Sequence, residues 1–188
     1  MPRGMKLLLV LWSPLSAIPL AMVLAHAHVP QPFSYAWHKA LHVLGAVMFL
    51  GDMLTQAFWL TAARMTNHGP AIRASYRALD WTDTVFLGPG MFLLVANGSV
   101  LAQAWGGVER WSWMLSAVIL FGLYGMVSVP LMWIQIKGFR VLATAPDEKL
   151  GAELDAVSRG KGLGLWLVLM IVVPLVILVF MVVKPKLW

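Results

Sequence analysis

Four of the five histidines, His26, His28, His38 and His42, fall within seventeen residues that join the first two apolar stretches of the chain. An imidazole at a bilayer costs free energy unless it has a partner or a ligand, so the cluster marks where chemistry is expected. His38 and His42 lie one turn apart on one helix, a spacing suited to chelating copper or zinc, with His26 and His28 as further ligands. The same spacing prevents these two from sitting on opposite faces of one haem. A bis-histidine haem would take one of them plus a residue from another helix, and His26 or His28 is the other imidazole on that side. His68 stands apart in a polar loop and reads as solvated. Cys is absent, which excludes disulfides, thiolate metal sites, iron–sulfur clusters and cysteine nucleophiles. The 12 Met residues are compatible with soft-metal handling but read first as apolar filling.

At about 100° per residue, His38, His42, Gly45, Phe49, Asp52 and Gln56 share one side of a helix. Asp52 falls near mid-membrane and must face the interior of a bundle. By the same rule the third apolar stretch turns Asp83, Gly90 and Asn97 to one side, and the fourth turns Tyr124, Ser128 and Gln135. Three polar stripes are thus expected to converge. Gln56, Asn97 and Ser128, taken singly, read as interhelical hydrogen-bonding groups. His42 with Asp52, an imidazole and a carboxylate on one buried face, suits proton transfer or ligand binding.

The elements that must position these groups are membrane helices. Of 188 residues, 60% are hydrophobic and 12% charged, against about 25% charged in a soluble domain. Five apolar spans are predicted, at residues 6–25, 36–63, 82–104, 112–136 and 163–183, each long enough for the hydrocarbon core. Pro14, Pro19, Pro89, Pro130 and Pro174 lie inside them and read as kinks, since neighbouring helices can satisfy the freed carbonyls. The first span has features of a signal peptide, with Arg3 and Lys6 ahead of it and Ala25-His26-Ala27 after it, but it is read here as a retained helix. The polar stretch 137–161 is expected to form a short cytoplasmic amphipathic helix. No internal repeat, phosphate loop or nucleophile motif is present.

Lys and Arg set the orientation. With the N-terminus in the cytoplasm, ten fall inside (Arg3, Lys6, Arg64, Arg73, Arg77, Lys137, Arg140, Lys149, Arg159 and Lys161) and four outside (Lys39, Arg110, Lys184 and Lys186). The C-terminus is then outside. Trp37, Trp105, Trp111, Trp113 and Trp188 would form the outer belt, and Trp59, Trp81, Trp133 and Trp166 the inner one. Basic loops facing an anionic leaflet account for the net charge of +6 without a nucleic-acid partner.

The segment Trp37-His38-Lys39-Ala40-Leu41-His42-Val43, followed by Phe49 and Gly51, resembles the opening helix of a superfamily of small bacterial membrane proteins. That superfamily comprises the copper-resistance protein D family, the haem-b-containing membrane protoporphyrinogen oxidases, and a related group of unknown function, which the chain resembles most. Asp80 to Gly98, with Pro89-Gly90 and Asn97-Gly98, is similar to the second family helix, and Val182-Val183-Lys184-Pro185 to the close of the last. The resemblance covers residues 34–185. It implies an all-α, polytopic fold: a four-helix transmembrane domain at 36–188, with residues 1–35 an added N-terminal transmembrane helix and outer loop. It implies the bacterial inner membrane as location, haem b as cofactor and His42 as the haem ligand. The oxidase-like members carry a Lys and a His in the helix matching 112–136, where this chain offers Tyr124 and Ser128, and a Pro-Arg pair that it lacks. These departures speak against protoporphyrinogen oxidase activity. Haem would then take its second ligand from His26 or His28, or be five-coordinate.

Three functions follow as expectations. The first is a haem-b redox component exchanging electrons between a quinol or membrane dehydrogenase and an outer acceptor, with His42 as ligand and Asp52 as proton acceptor. The second is a copper-handling protein with His26, His28, His38 and His42 as its outer entry site. The third is an accessory subunit of a larger membrane complex, or a homo-oligomer, whose bundle acts only as a scaffold.

Overall fold

The computed structural model describes residues 3–158 and 163–188, and the side chains outside 158–167. Arg159, Lys161 and the side chain of Trp166, assigned above to the inner face, lie outside the described residues. Helices α1 (Arg3–Leu24), α2 (Tyr35–Met65), α3 (Gly69–Ala104) and α4 (Ser112–Thr144) are each long and apolar enough to cross a membrane. A short helix α5 (Leu150–Ser158) and a 21-residue apolar helix α6 (Leu163–Val183) complete the chain. Among the described residues there is no strand.

Two helices outrun the apolar stretches that announce them. The third starts at Gly69 instead of 82, because Ile72, Tyr76 and Leu79 recur at helical spacing and bury one face of an otherwise polar segment. The fourth runs on to Thr144, so the polar stretch 137–161 is divided between the end of α4 and α5. Hydropathy marks the part of a helix that lies in lipid, and nothing obliges the helix to stop there. The prolines fall within these continuous helices, Pro19, Pro130 and Pro174 in their interiors.

In two places the helical ladder widens by one residue. Leu8–Trp12 in α1 and Asp83–Leu87 in α3 form single π turns, closed by Ser13 N–H donating to Leu8 O and Gly88 N–H donating to Asp83 O. In each case the closing residue, Ser13 or Gly88, is followed by a proline, Pro14 or Pro89. A prolyl nitrogen donates nothing, so the regular ladder is broken there anyway.

Packing is tightest between α2 and α3. A methyl group on Gly45 would strike Leu94 N and Gly90 O, and one on Gly90 would come within 2.9 Å of Met48 Cβ and Phe49 N. Backbone meets backbone here, as small residues permit in lipid. α1 lies along α3, with Trp12 against Phe92 at 6.1 Å between ring centroids. The first amides of α1 are held from a distance in sequence: Gly4 N–H and Arg3 N–H donate to the Asp80 carboxylate at 2.7 and 3.3 Å. An acidic group at a helix N-terminus satisfies orphan donors and favours the dipole.

α4 packs on α6 and reaches α2 through Phe49, whose ring meets Phe121 at 6.4 Å and Tyr124 at 5.9 Å. Two apolar clusters close the ends. One gathers Val23, Val29, Val100, Val108, Trp113 and Met114, and the other Ile72, Tyr76, Ala145, Leu150 and Leu154. At the second end Arg73 donates to Leu142 O, to Ala145 O at 2.5 Å and to Asp147 Oδ1 at 2.7 Å, capping the last carbonyls of α4.

Candidate functional site

The polar stripes of α2 and α3 meet along their seam at two levels. In the first, His38 and His42 turn into α3. His38 is 3% exposed, and its Nδ1 lies 2.7 Å from Asn97 Oδ1. The Asn97 amide donates its own N–H to Leu93 O at 2.8 Å, so its oxygen faces the ring and His38 Nδ1 must donate. His42 Nδ1 lies 2.7 Å from Leu94 O, which can only accept, and its ring rests on Gly98, where a Cβ would come within 2.9 Å of Cε1. Both rings therefore carry the proton on Nδ1, and both leave the Nε2 lone pair free.

The two free nitrogens differ in surroundings. His38 Nε2 is sealed and has no partner, one of two such buried side-chain nitrogens among the described residues, with the ring of Phe33 5.8 Å away. The His42 ring is only partly buried. An imidazole whose Nδ1–H is anchored on a backbone carbonyl and whose Nε2 is open matches the usual geometry of a metal-ligating or haem-ligating histidine. His42 could thus hold such a group, while His38 is oriented alike but enclosed.

The other two members of the cluster stand elsewhere. α1 ends with Ala27 N–H donating to Met22 O and His26 N–H to Val23 O, which puts His26 in the left-handed region at φ 55°. Glycine usually fills that position, as Gly106 does at the matching end of α3 with φ 90°. His26 is exposed, 3.8 Å from Glu109, and the His28 ring pairs with the Gln103 amide at 3.0 Å. Among the described residues no three His, Asp or Glu side chains gather as a metal-binding group. His68 is exposed at the start of α3.

The second level lies deeper. Asp52 and Asp83, 7% and 4% exposed, are joined by one amide: Gln56 Nε2 is 2.6 Å from Asp52 Oδ2, 2.8 Å from Asp83 Oδ1 and 3.1 Å from Thr82 Oγ1. Gln135 of α4 reaches Asp83 Oδ2 at 3.4 Å. Gln56 has two N–H groups for three acceptors. Tyr124 joins the same interior, its hydroxyl donating to Met53 Sδ at 3.0 Å. Ser128 does not join, because its hydroxyl turns back to Gly125 O on an exposed face. The stripes thus converge as their periodicity requires, apart from Ser128. Thr82, the first residue of the third apolar stretch, was not singled out in the sequence, and Gly98 was not linked to His42.

This arrangement defines a class: a helical integral membrane protein whose buried polar groups are concentrated in one closely packed seam. A family profile matches residues 37–185, and the chain belongs to the family described as predicted integral membrane protein (DUF2269). The match opens at the second residue after Tyr35, just before His38, and leaves α1 outside it. No curated protein and no solved structure matches the chain.

Proposed function

We propose that the protein is an integral membrane redox component that binds haem b through His42, with the Asp52–Gln56–Asp83 group taking up and releasing a proton deeper in the same seam. The observation that carries this reading is the orientation of His42: Nδ1 is held by Leu94 O, and Nε2 is left open on a partly buried ring. Haem bound there supplies a one-electron redox centre. The chain's own part is to fix the tautomer and angle of the ligand and to exclude water from the Gly45–Gly90 contact below it. Farther down, two carboxylates sharing too few donors form a place where a proton is readily held. Five spans with the N-terminus inside, α1 being an addition to a four-helix domain at 36–188, complete the reading. The Lys and Arg distribution favours that orientation in a bacterial inner membrane. A quinol or a membrane redox protein is the partner class such a component serves.

The copper reading is less well supported, because it calls for several ligands in one place. His26 serves a helix end and His28 bonds Gln103.

An optical spectrum of purified protein, oxidised and then reduced with dithionite, tests the proposal. Wild-type protein should show a Soret band that His42→Ala abolishes and His68→Ala leaves intact. No Soret band in wild type, with copper retained and lost in a His26→Ala/His28→Ala variant, would favour the metal-handling reading. Neither haem nor copper in wild type would leave a structural subunit.

A further inference from the structure

Beyond the seam, at the end of the bundle where α3 passes to α4, an open pocket of about 310 Å³ lies between that turn and the C-terminal tail. Arg110, Lys184 and Lys186 line it with the indoles of Trp105, Trp113 and Trp188, and no Asp or Glu side chain does. None of the three cations has an ion-pair partner among the described residues.

The pocket is held in shape. Leu187 N–H donates to Ser112 Oγ at 3.0 Å, which ties the tail back across the start of α4. Lys184, at φ 52°, carries its ammonium 4.3 Å from the centre of the Trp105 ring and 5.7 Å from that of Trp113. The Trp105 ring is fixed in turn by donating to Tyr35 OH at 3.0 Å. A cation lying on indole faces has shed part of its hydration and is held in place by the rings.

We propose that this pocket binds the phosphate headgroup of an anionic phospholipid. The three cations supply charge for a phosphate, and the indoles pack against the glycerol and upper acyl chain. A lipid is favoured over a soluble anion by what lies next to Lys184 in the chain. Val179, Val182 and Val183 are exposed on α6, so an apolar track for acyl chains runs from the rim of the pocket along the helix. The inference rests on this pocket alone and does not depend on a haem at His42.

Native mass spectrometry of the full-length protein, released from equimolar phosphatidylglycerol and phosphatidylcholine, provides the test. Wild-type protein should retain phosphatidylglycerol preferentially, and Lys184→Gln should lower that preference about fivefold, the effect of one cation at a lipid surface. R110Q/K184Q/K186Q should abolish it, with helix content unchanged by circular dichroism. Equal retention of the two lipids by wild-type protein overturns the proposal without any variant. Displacement of the retained lipid by excess inorganic phosphate also overturns it and identifies a soluble-anion site.

Discussion

The two levels of the α2–α3 seam solve the same problem differently. At the histidine level each ring makes one bond, which crosses between helices, and each ring keeps an idle lone pair. At the carboxylate level the groups crowd together, and a single amide from α2 serves acceptors on both helices. Both levels carry more acceptors than donors. The difference lies in enclosure: the His42 ring is only partly buried, whereas the carboxylates of Asp52 and Asp83 are buried around one shared amide. On the reading proposed above, the seam is a ligand position above a proton position.

The largest effect should come from removing what the two levels share. Gly45→Leu places a side chain against the α3 backbone, which cannot retreat without separating both sets of bonds. A loss of about 3 kcal/mol or more is expected, seen as failure to recover folded protein in detergent. Recovery of stable protein would show that the levels do not depend on one close contact.

Next in size, the carboxylate level can be probed alone. Asp83→Ala leaves the Gln135 amide without its acceptor, takes one of three acceptors from Gln56 and opens a buried gap, and should cost about 1–3 kcal/mol. Asp83→Asn keeps an acceptor oxygen and adds two donors where donors are scarce, so it should cost much less, within about 0.5 kcal/mol of wild type. Thermal unfolding of the two variants in the same detergent measures the gap. Equal destabilisation would mean that the carboxylate charge itself, and not its accepting geometry, holds this level together.

The smallest of the three effects is expected at the histidine level. Asn97→Ala removes the acceptor that sets the His38 tautomer and should cost about 1–2 kcal/mol. It leaves His42 and Leu94 O in place, so a haem spectrum should persist. If that spectrum is lost, His38 and not His42 is the working ligand.

Much of this was legible in the sequence, for a definite reason. Periodicity is a property of the helix itself, so the sharing of one face by His38, His42, Asp52 and Gln56, and the meeting of Asp83, Asn97, Tyr124 and Gln135 with it, could be read from spacing. What depends on a partner could not. His26 looked like a ligand because its residue type suggests one, yet its position at φ 55° is a helix-ending position, and residue type alone does not reveal a left-handed turn. Ser128 shares a stripe with Tyr124, but at that depth α4 presents it on an exposed face and its hydroxyl bonds its own helix. Asp80 was matched to a family pattern, while its use as a cap for α1, 76 residues away, is a fact of tertiary packing. The extension of α3 back to Gly69 was missed because a search for apolar runs passes over a segment that buries only every third or fourth residue.

The π turn at Asp83–Leu87 gives α3 a phase offset between two halves with separate tasks. Beyond it, Gly90, Asn97 and Gly98 are set by contact with α2; before it, Ile72, Tyr76 and Asp80 are set by α5 and α1. Closing the turn into regular α-helix with all its residues kept would rotate the earlier half by roughly 100° relative to the later one. The change would leave each half internally intact but turn Asp80 away from the amides of α1. The extra residue held in the π turn is therefore a matter of gearing: it indexes the Arg73 end of the molecule against the membrane seam without altering the composition of either.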